Sequence, residues 1–299
     1  MDMTVGKIME LQRSNDADGE KLSVVSQDGV LNRLTLYRAA HSRAVILCMP
    51  AMGVRASYYR PFAVKLALAG WHVVTADLRG NGESGVRVRN GARFGYRELL
   101  ELDWPANVAG VRERFPGLPV FLLGHSLGGQ LNTLYAARSP HQVAGLIQIA
   151  SGSVHFRGWP LVQGMKILAQ SQLLRAITEV VGYLPGEKVG FAGNEAKQMI
   201  RDWAGVAITG KYRPAGSQFD YEAGMHKLSL PVLSLAFTDD GYAPPGAADV
   251  LLGKTPNADV ARQALTPGEL GLESVGHYSW VKNCGDIVPR VSFWLEQHC

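Results

Sequence analysis

Cysteine is scarce in this chain: Cys48, Cys284 and Cys299 are the only three in 299 residues. That is too few and too scattered for a disulfide framework or a zinc site. Long apolar runs are missing as well, and none approaches the roughly 20 residues of a membrane-spanning helix. The opening stretch MDMTVGKIMELQRSNDADGE lacks the basic-then-apolar pattern of a secretory signal. There is no strong excess of one charge, since 30 Lys and Arg against 26 Asp and Glu leave a net charge of +4. With no dense Lys/Arg block, nothing argues for a nucleic-acid partner. These absences predict a reduced, cytoplasmic protein without a membrane span. What remains is an ordinary globular composition, 46% hydrophobic and 19% charged, long enough for one large α/β domain or two small ones.

After a polar leader (residues 1–20), KLSVVSQDGVLNRLTLYRA reads as two short strands around an Asp28-Gly29 turn. The rhythm then changes. AVILCMP (Ala44–Pro50), WHVVTAD, PVFLLGHS, AGLIQIAS and PVLSLAFT (Pro231–Thr238) are apolar runs suited to strands buried on both faces. Between them lie helical patterns: SYYRPFAVKLALAG, the segment from Tyr96 to Phe115 with a break or kink expected at Pro105, and the residues after Ser126. DIVPRVSFWLEQHC closes the chain as an amphipathic helix. Strand and helix in alternation predict an α/β fold, a mostly parallel sheet with helices on both faces. Residues 1–151 and 231–299 form its two parts. Residues 152–230 are too many for a crossover and predict a helical cap inserted between two core strands. Within it, Leu173, Ile177, Val180 and Leu184, and again Ala196, Met199, Ile200 and Trp203, have helical spacing and are expected to be buried faces.

Gly124-His125-Ser126-Leu127-Gly128 stands where a buried strand meets a helix. A sharp turn there lifts the serine hydroxyl clear of the sheet and strains its backbone. The helix start behind it offers unpaired N–H groups, so the amide of Leu127 can face a developing oxyanion. A serine needs a base, and the base an orienting acid. Among eight histidines, His277 lies in a loop before the last helix, with Gly276 leaving its backbone free to turn. Asp239 and Asp240 follow the strand Pro231–Thr238. Only one can reach the imidazole, and the turn after Asp240 favours Asp240, with Asp239 bonding the loop. A second oxyanion donor is expected after the first parallel strand, in MPAMGVRASYY, at the amide of Met52.

With these residues in hand, the chain resembles the α/β-hydrolase superfamily, its serine-nucleophile branch with a helical cap. The resemblance runs from about Leu22 to the C-terminus. It adds DLRGNGES (Asp77–Ser84), similar to the D-x-R-G-x-G-x-S loop of that superfamily. MPAMGVRASYYRPFA, LLGHSLGGQ and DWA (Asp202–Ala204) are similar to bacterial predicted hydrolases of unsettled substrate. Where many hydrolases carry His-Gly, this chain has Pro50-Ala51. The resemblance implies cleavage of an ester, thioester or amide through an acyl-enzyme, carboxylesterase-like, with a small acyl substrate and neither cofactor nor metal. An acyltransferase, a carbon–carbon hydrolase and a ligand receptor on the same fold stay open.

Two further motifs are decoys. Gly80–Gly85 fits G-x-G-x-x-G, but no helical pattern follows to hold a pyrophosphate. GKT at Gly253–Thr255 lacks the first glycine of a P-loop. Arg79, Arg87, Arg89, Arg93 and Arg97 form one basic cluster, read as a solvated loop face.

Overall fold

Asp28-Gly29 closes the first turn of the chain, where the Ser26 amide donates to the Val30 carbonyl at 2.9 Å and Gly29 takes φ 80°. The computed structural model describes residues 19–89 and 91–299, so most of the polar leader lies outside the described residues. The hairpin it forms is β1 (Glu20–Val25) with β2 (Leu31–Tyr37). Then come β3 (Val45–Met49), α1 (Arg60–Leu68), β4 (His72–Ala76), α2 (Trp104–Arg114), β5 (Val120–His125), α3 (Leu127–Arg138) and β6 (Gly145–Ile149). After a long insertion the sheet resumes with β9 (Pro231–Phe237), a helix Pro245–Leu252, β10 (Asp259–Leu265) and a final helix Ile287–Glu296.

The eight strands lie in the order β1-β2-β4-β3-β5-β6-β9-β10. The pairs β1–β2 and β2–β4 are antiparallel and every other pair is parallel. Strand periodicity divides the core in two. Along β3, Val45, Leu47 and Met49 join Val108, Val111, Leu131 and Leu134 on one face. Ile46 and Cys48 meet Phe62, Leu66, Val291 and Leu295 on the other. Burial on both faces is why these strands read as unbroken apolar runs.

Three features differ from the sequence reading. Before α2 the chain neither breaks nor restarts at Pro105. It passes through a π-helical turn, Leu99–Asp103, closed by the Trp104 amide on the Leu99 carbonyl. The wider turn sets Pro105 in the first turn of α2, where proline is tolerated. Strand β10 was not legible as such. As an edge strand it alternates half-exposed residues, and Asp259, Arg262 and Gln263 interrupt its apolar pattern.

The third is in the insertion, which holds α4 (Leu161–Val181), a short hairpin of β7 (Tyr183–Pro185) and β8 (Asn194–Ala196), α5 (Lys197–Thr209) and α6 (Tyr221–Lys227). Met199 and Ile200 are buried as expected, but Leu173 and Val180 are exposed and Leu184 is buried in β7, not in a helix. The reason is chemical. The face that α4 buries is mostly small or hydroxylated: Gly164, Ser171 and Thr178 beside Leu174. Ser171 and Thr178 donate back to the carbonyls of Leu168 and Leu174, which satisfies their hydroxyls within the helix. Apolar periodicity cannot see such a face.

Candidate active site

Ser126 sits between β5 and α3 at φ 53° and ψ −118°, a conformation that L-residues rarely hold. Its neighbours explain the spacing of the glycines. A Cβ on Gly128 would lie 2.3 Å from the Met49 carbonyl oxygen and 2.7 Å from that of Pro50. One on Gly124 would lie 2.2 Å from the Gly129 nitrogen. The loop after β3 and the elbow after β5 therefore touch backbone to backbone, and β3–β5 register sets Met49 opposite Gly124. Ser151 donates to the Ser126 carbonyl at 2.7 Å, fixing the turn from the β6 side. Leu127 opens α3, so its N–H has no intrahelical acceptor.

The loop after β9 presents two carboxylates to different partners. Asp240 Oδ1 accepts from the amides of Tyr242 and Ala243 at 2.7 and 2.9 Å, while Oδ2 lies 2.7 Å from His277 Nδ1. A carboxylate facing the imidazole accepts, so Nδ1 carries the proton and Nε2 keeps a lone pair. Both side chains are buried. Asp239 points elsewhere, its Oδ2 accepting from Ser274 Oγ and from the amides of Val275 and Gly276. Partial burial works to raise its pKa, but these bonds outweigh it and hold the carboxyl below its usual range.

His125 points away from the serine, under the His277 loop. Its Nδ1 is 2.7 Å from the Tyr59 hydroxyl, which itself accepts from the Ala51 amide at 2.9 Å. Burial, then the neighbouring His277, push the His125 pKa well below the ordinary imidazole value.

Ser126, Leu127, Met52 and His277 share the wall of one cavity of about 230 Å³, with Asp240 directly behind His277. Ile167, Phe191 and Trp203, all from the insertion, line it too. The sequence reading had not singled out Gln130, Tyr242 or Tyr278, which also line it. Gln130 could have been found one helical turn after the serine. The arginine cluster does not converge: Arg79 is buried against Asp28 and Asp103, Arg97 pairs with Glu98 and Glu101, and none of the five lines the cavity. Gly80–Gly85 is a turn in which Asp77 accepts from the Glu83 amide and Ser84 from the Gly80 amide. Among the described residues, no three His, Cys, Asp or Glu side chains gather as a metal site, and no helix is long and apolar enough to cross a membrane.

Comparison with known proteins places the chain among hydrolase-like sequences and folds. The profile of a family described as serine aminopeptidase, S33, matches residues 40–183. A monoglyceride lipase of Rattus norvegicus is 26% identical over 268 residues, 85% of this chain and 82% of that one. The monoglyceride lipase of Homo sapiens is 34% identical over 110 residues, 36% of this chain and 35% of that one. Among solved structures, a soluble variant of the monoglyceride lipase of Saccharomyces cerevisiae, in complex with a substrate analogue, superposes with a TM-score of 0.67. At 16% identity, over 94% of this chain and 96% of that one, this likeness speaks for the fold. The chain has the α/β-hydrolase fold, and over residues 40–183 it is similar to a serine-hydrolase family of that fold.

Proposed function

We propose that this protein is an esterase that cleaves small carboxylic esters through an acyl-enzyme on Ser126. The observation that carries this reading is the buried 2.7 Å contact between Asp240 and His277, beside a cavity lined by Ser126 on its strained turn. In this mechanism His277 Nε2 takes the Ser126 proton as Oγ attacks the acyl carbon, and Asp240 stabilises the imidazolium. The carbonyl oxygen gains the charge, which the amides of Met52 and Leu127 receive. Collapse of the tetrahedral intermediate breaks the ester C–O bond, and His277 protonates the departing alcohol. Water, deprotonated by His277, then releases the acid and restores Ser126.

Residues 152–230 act as a cap over this centre, a reading supported by the insertion residues Ile167, Phe191 and Trp203 in the cavity wall. Ester substrates are supported by the monoglyceride lipases to which the chain is similar. The test is hydrolysis of p-nitrophenyl esters, from acetyl to decanoyl, by the protein and by Ser126→Ala. A fall of about 10⁴-fold in kcat is expected for the variant. Equal rates from both proteins overturn the reading.

A further inference from the structure

One polar group in the cavity takes no part in this chemistry. Gln130, in the first turn of α3, is 5% exposed and lines the same wall as Ser126. Its Oε1 accepts from the Tyr212 hydroxyl at 3.1 Å. Tyr212 is itself fixed: it is buried, and its amide donates to Glu222 at 2.8 Å. In the bond to Gln130 the Tyr212 phenol is the donor. The amide is thereby oriented, with oxygen toward Tyr212 and Nε2 away from it. Nε2 donates to no acceptor among the described residues, yet it is not among the enclosed polar atoms that lack a partner. Its hydrogens therefore face the free space of the cavity.

The cavity also limits the ligand. About 230 Å³ lies below the roughly 300–1,000 Å³ that drug-sized ligands occupy. The cavity suits a small ligand, and an alkyl group at Gln130 leaves an oriented amide donor unpaired.

We propose that Gln130 selects the substrate: a short ester that carries a second hydrogen-bond-accepting oxygen, in its acyl or its alcohol part, a few atoms from the scissile carbonyl. This rests on the esterase reading and narrows it to a substrate class. Tyr212 is the positioning residue, because it decides which end of the amide meets the ligand.

Matched isosteres test it, with the full-length protein. In the acyl arm, p-nitrophenyl pentanoate is compared with p-nitrophenyl 3-methoxypropanoate. In the alcohol arm, butyl acetate is compared with 2-methoxyethyl acetate. Each pair exchanges one methylene for an ether oxygen. The expected result is a kcat/KM preference of about tenfold to a hundredfold for the ether in one arm, which names the side that meets Gln130. Gln130→Leu brings that ratio to about one, and Gln130→Glu takes it below one by offering a carboxylate to an acceptor. Tyr212→Phe frees the amide to rotate and gives an intermediate ratio. No preference by the unmodified protein in either arm overturns the proposal, as does a preference that survives Gln130→Leu. If the protein cleaves none of these esters, the esterase reading fails separately. Calorimetric binding of pentanamide against 3-methoxypropanamide then decides Gln130, and equal affinities overturn its role.

Discussion

The rings of His125 and His277 face each other with centroids 4.7 Å apart and planes at 45°. Tyr59, Tyr278 and Trp280 close around His125 edge-on. Two imidazolium rings at this distance in a buried pocket repel strongly, so only one can carry charge. In the proposed mechanism His277 must be that one, and burial keeps His125 neutral for it. The Tyr59 hydroxyl completes the arrangement. It accepts from the Ala51 amide and bonds His125 Nδ1 as well. One phenol thus ties the loop carrying Met52 to the strand end carrying Ser126.

Tyr59→Phe removes that tie and leaves the Ala51 amide and His125 Nδ1 without a partner. Each stranded group costs about 1–3 kcal/mol, read as a lower urea midpoint. Since Ala51 directly precedes Met52, kcat on a p-nitrophenyl ester is expected to fall about tenfold as the oxyanion donor loosens. Unchanged stability together with unchanged kcat would falsify the coupling.

The two adjacent carboxylates after β9 separate orientation from loop structure. Asp240→Asn removes the acceptor that holds the Nδ1–H tautomer of His277, and kcat is expected to fall about 10⁴-fold. Asp239→Asn weakens only the bonds to Ser274, Val275 and Gly276. It is expected to cost less than tenfold in kcat and a few degrees in Tm. Steady-state kinetics on both variants decide the matter, and a reversed order assigns the acid to Asp239.

How far these residues could be read from sequence follows from the range of the interactions. Ser126 with its flanking glycines is a local pattern, because the backbone contacts of Gly128 with Met49 and Pro50 leave no room for a Cβ. The core strands are legible because burial on both faces makes them continuous in apolar residues. Gln130 and Tyr212 bond across 82 positions, and nothing near Tyr212 marks it as the partner. The exposed Leu173 and Val180 were misread because α4 buries its small and hydroxylated side instead. Glu195 has the same problem: a lone glutamate between Asn194 and Ala196 reads as surface, yet it is wholly buried.

That glutamate predicts a pH effect. Oε1 of Glu195 accepts from Asn81 at 3.2 Å, and Oε2 has no partner among the described residues. Desolvation raises its pKa from 4.5 to about 7, against the opposing pull of Asn81. The Tyr96 phenol, whose pKa burial raises well above the ordinary value, is near enough to interact with it. Between these two values the folded state binds more protons than the unfolded chain, so this contribution falls as pH rises. From pH 5 to pH 8 the loss is about 3 kcal/mol at most. Glu195→Gln keeps the shape without the charge. Its stability in urea should match the natural protein at pH 5 and exceed it at pH 8. Parallel curves for the two proteins across that range would remove Glu195 as the cause.

Arg79 makes the opposite case, a buried charge that is fully paired. Its guanidinium donates to Asp103 at 2.6 and 2.8 Å and to Asp28 at 2.5 and 3.1 Å, with 4% of the side chain exposed. Asp103 also accepts from Ser26 at 2.6 Å and Asn32 at 3.3 Å, so the cluster fastens the β1–β2 turn to the chain before α2. The Arg79 hydrogen bond, working against partial desolvation, lowers the Asp28 pKa. A carboxyl lowered in this way stabilises the fold above its unfolded value, and that stability is lost as pH falls through the folded one. Arg79→Ala leaves the buried Asp103 carboxylate without its counter-ion, at a cost of about 3–5 kcal/mol. Adding Asp103→Asn to that variant should restore part of the loss, because the stranded charge goes with it. A double variant as unstable as the sum of the two single ones would mean that the residues act independently, and the ion pair would then not be what fastens the turn.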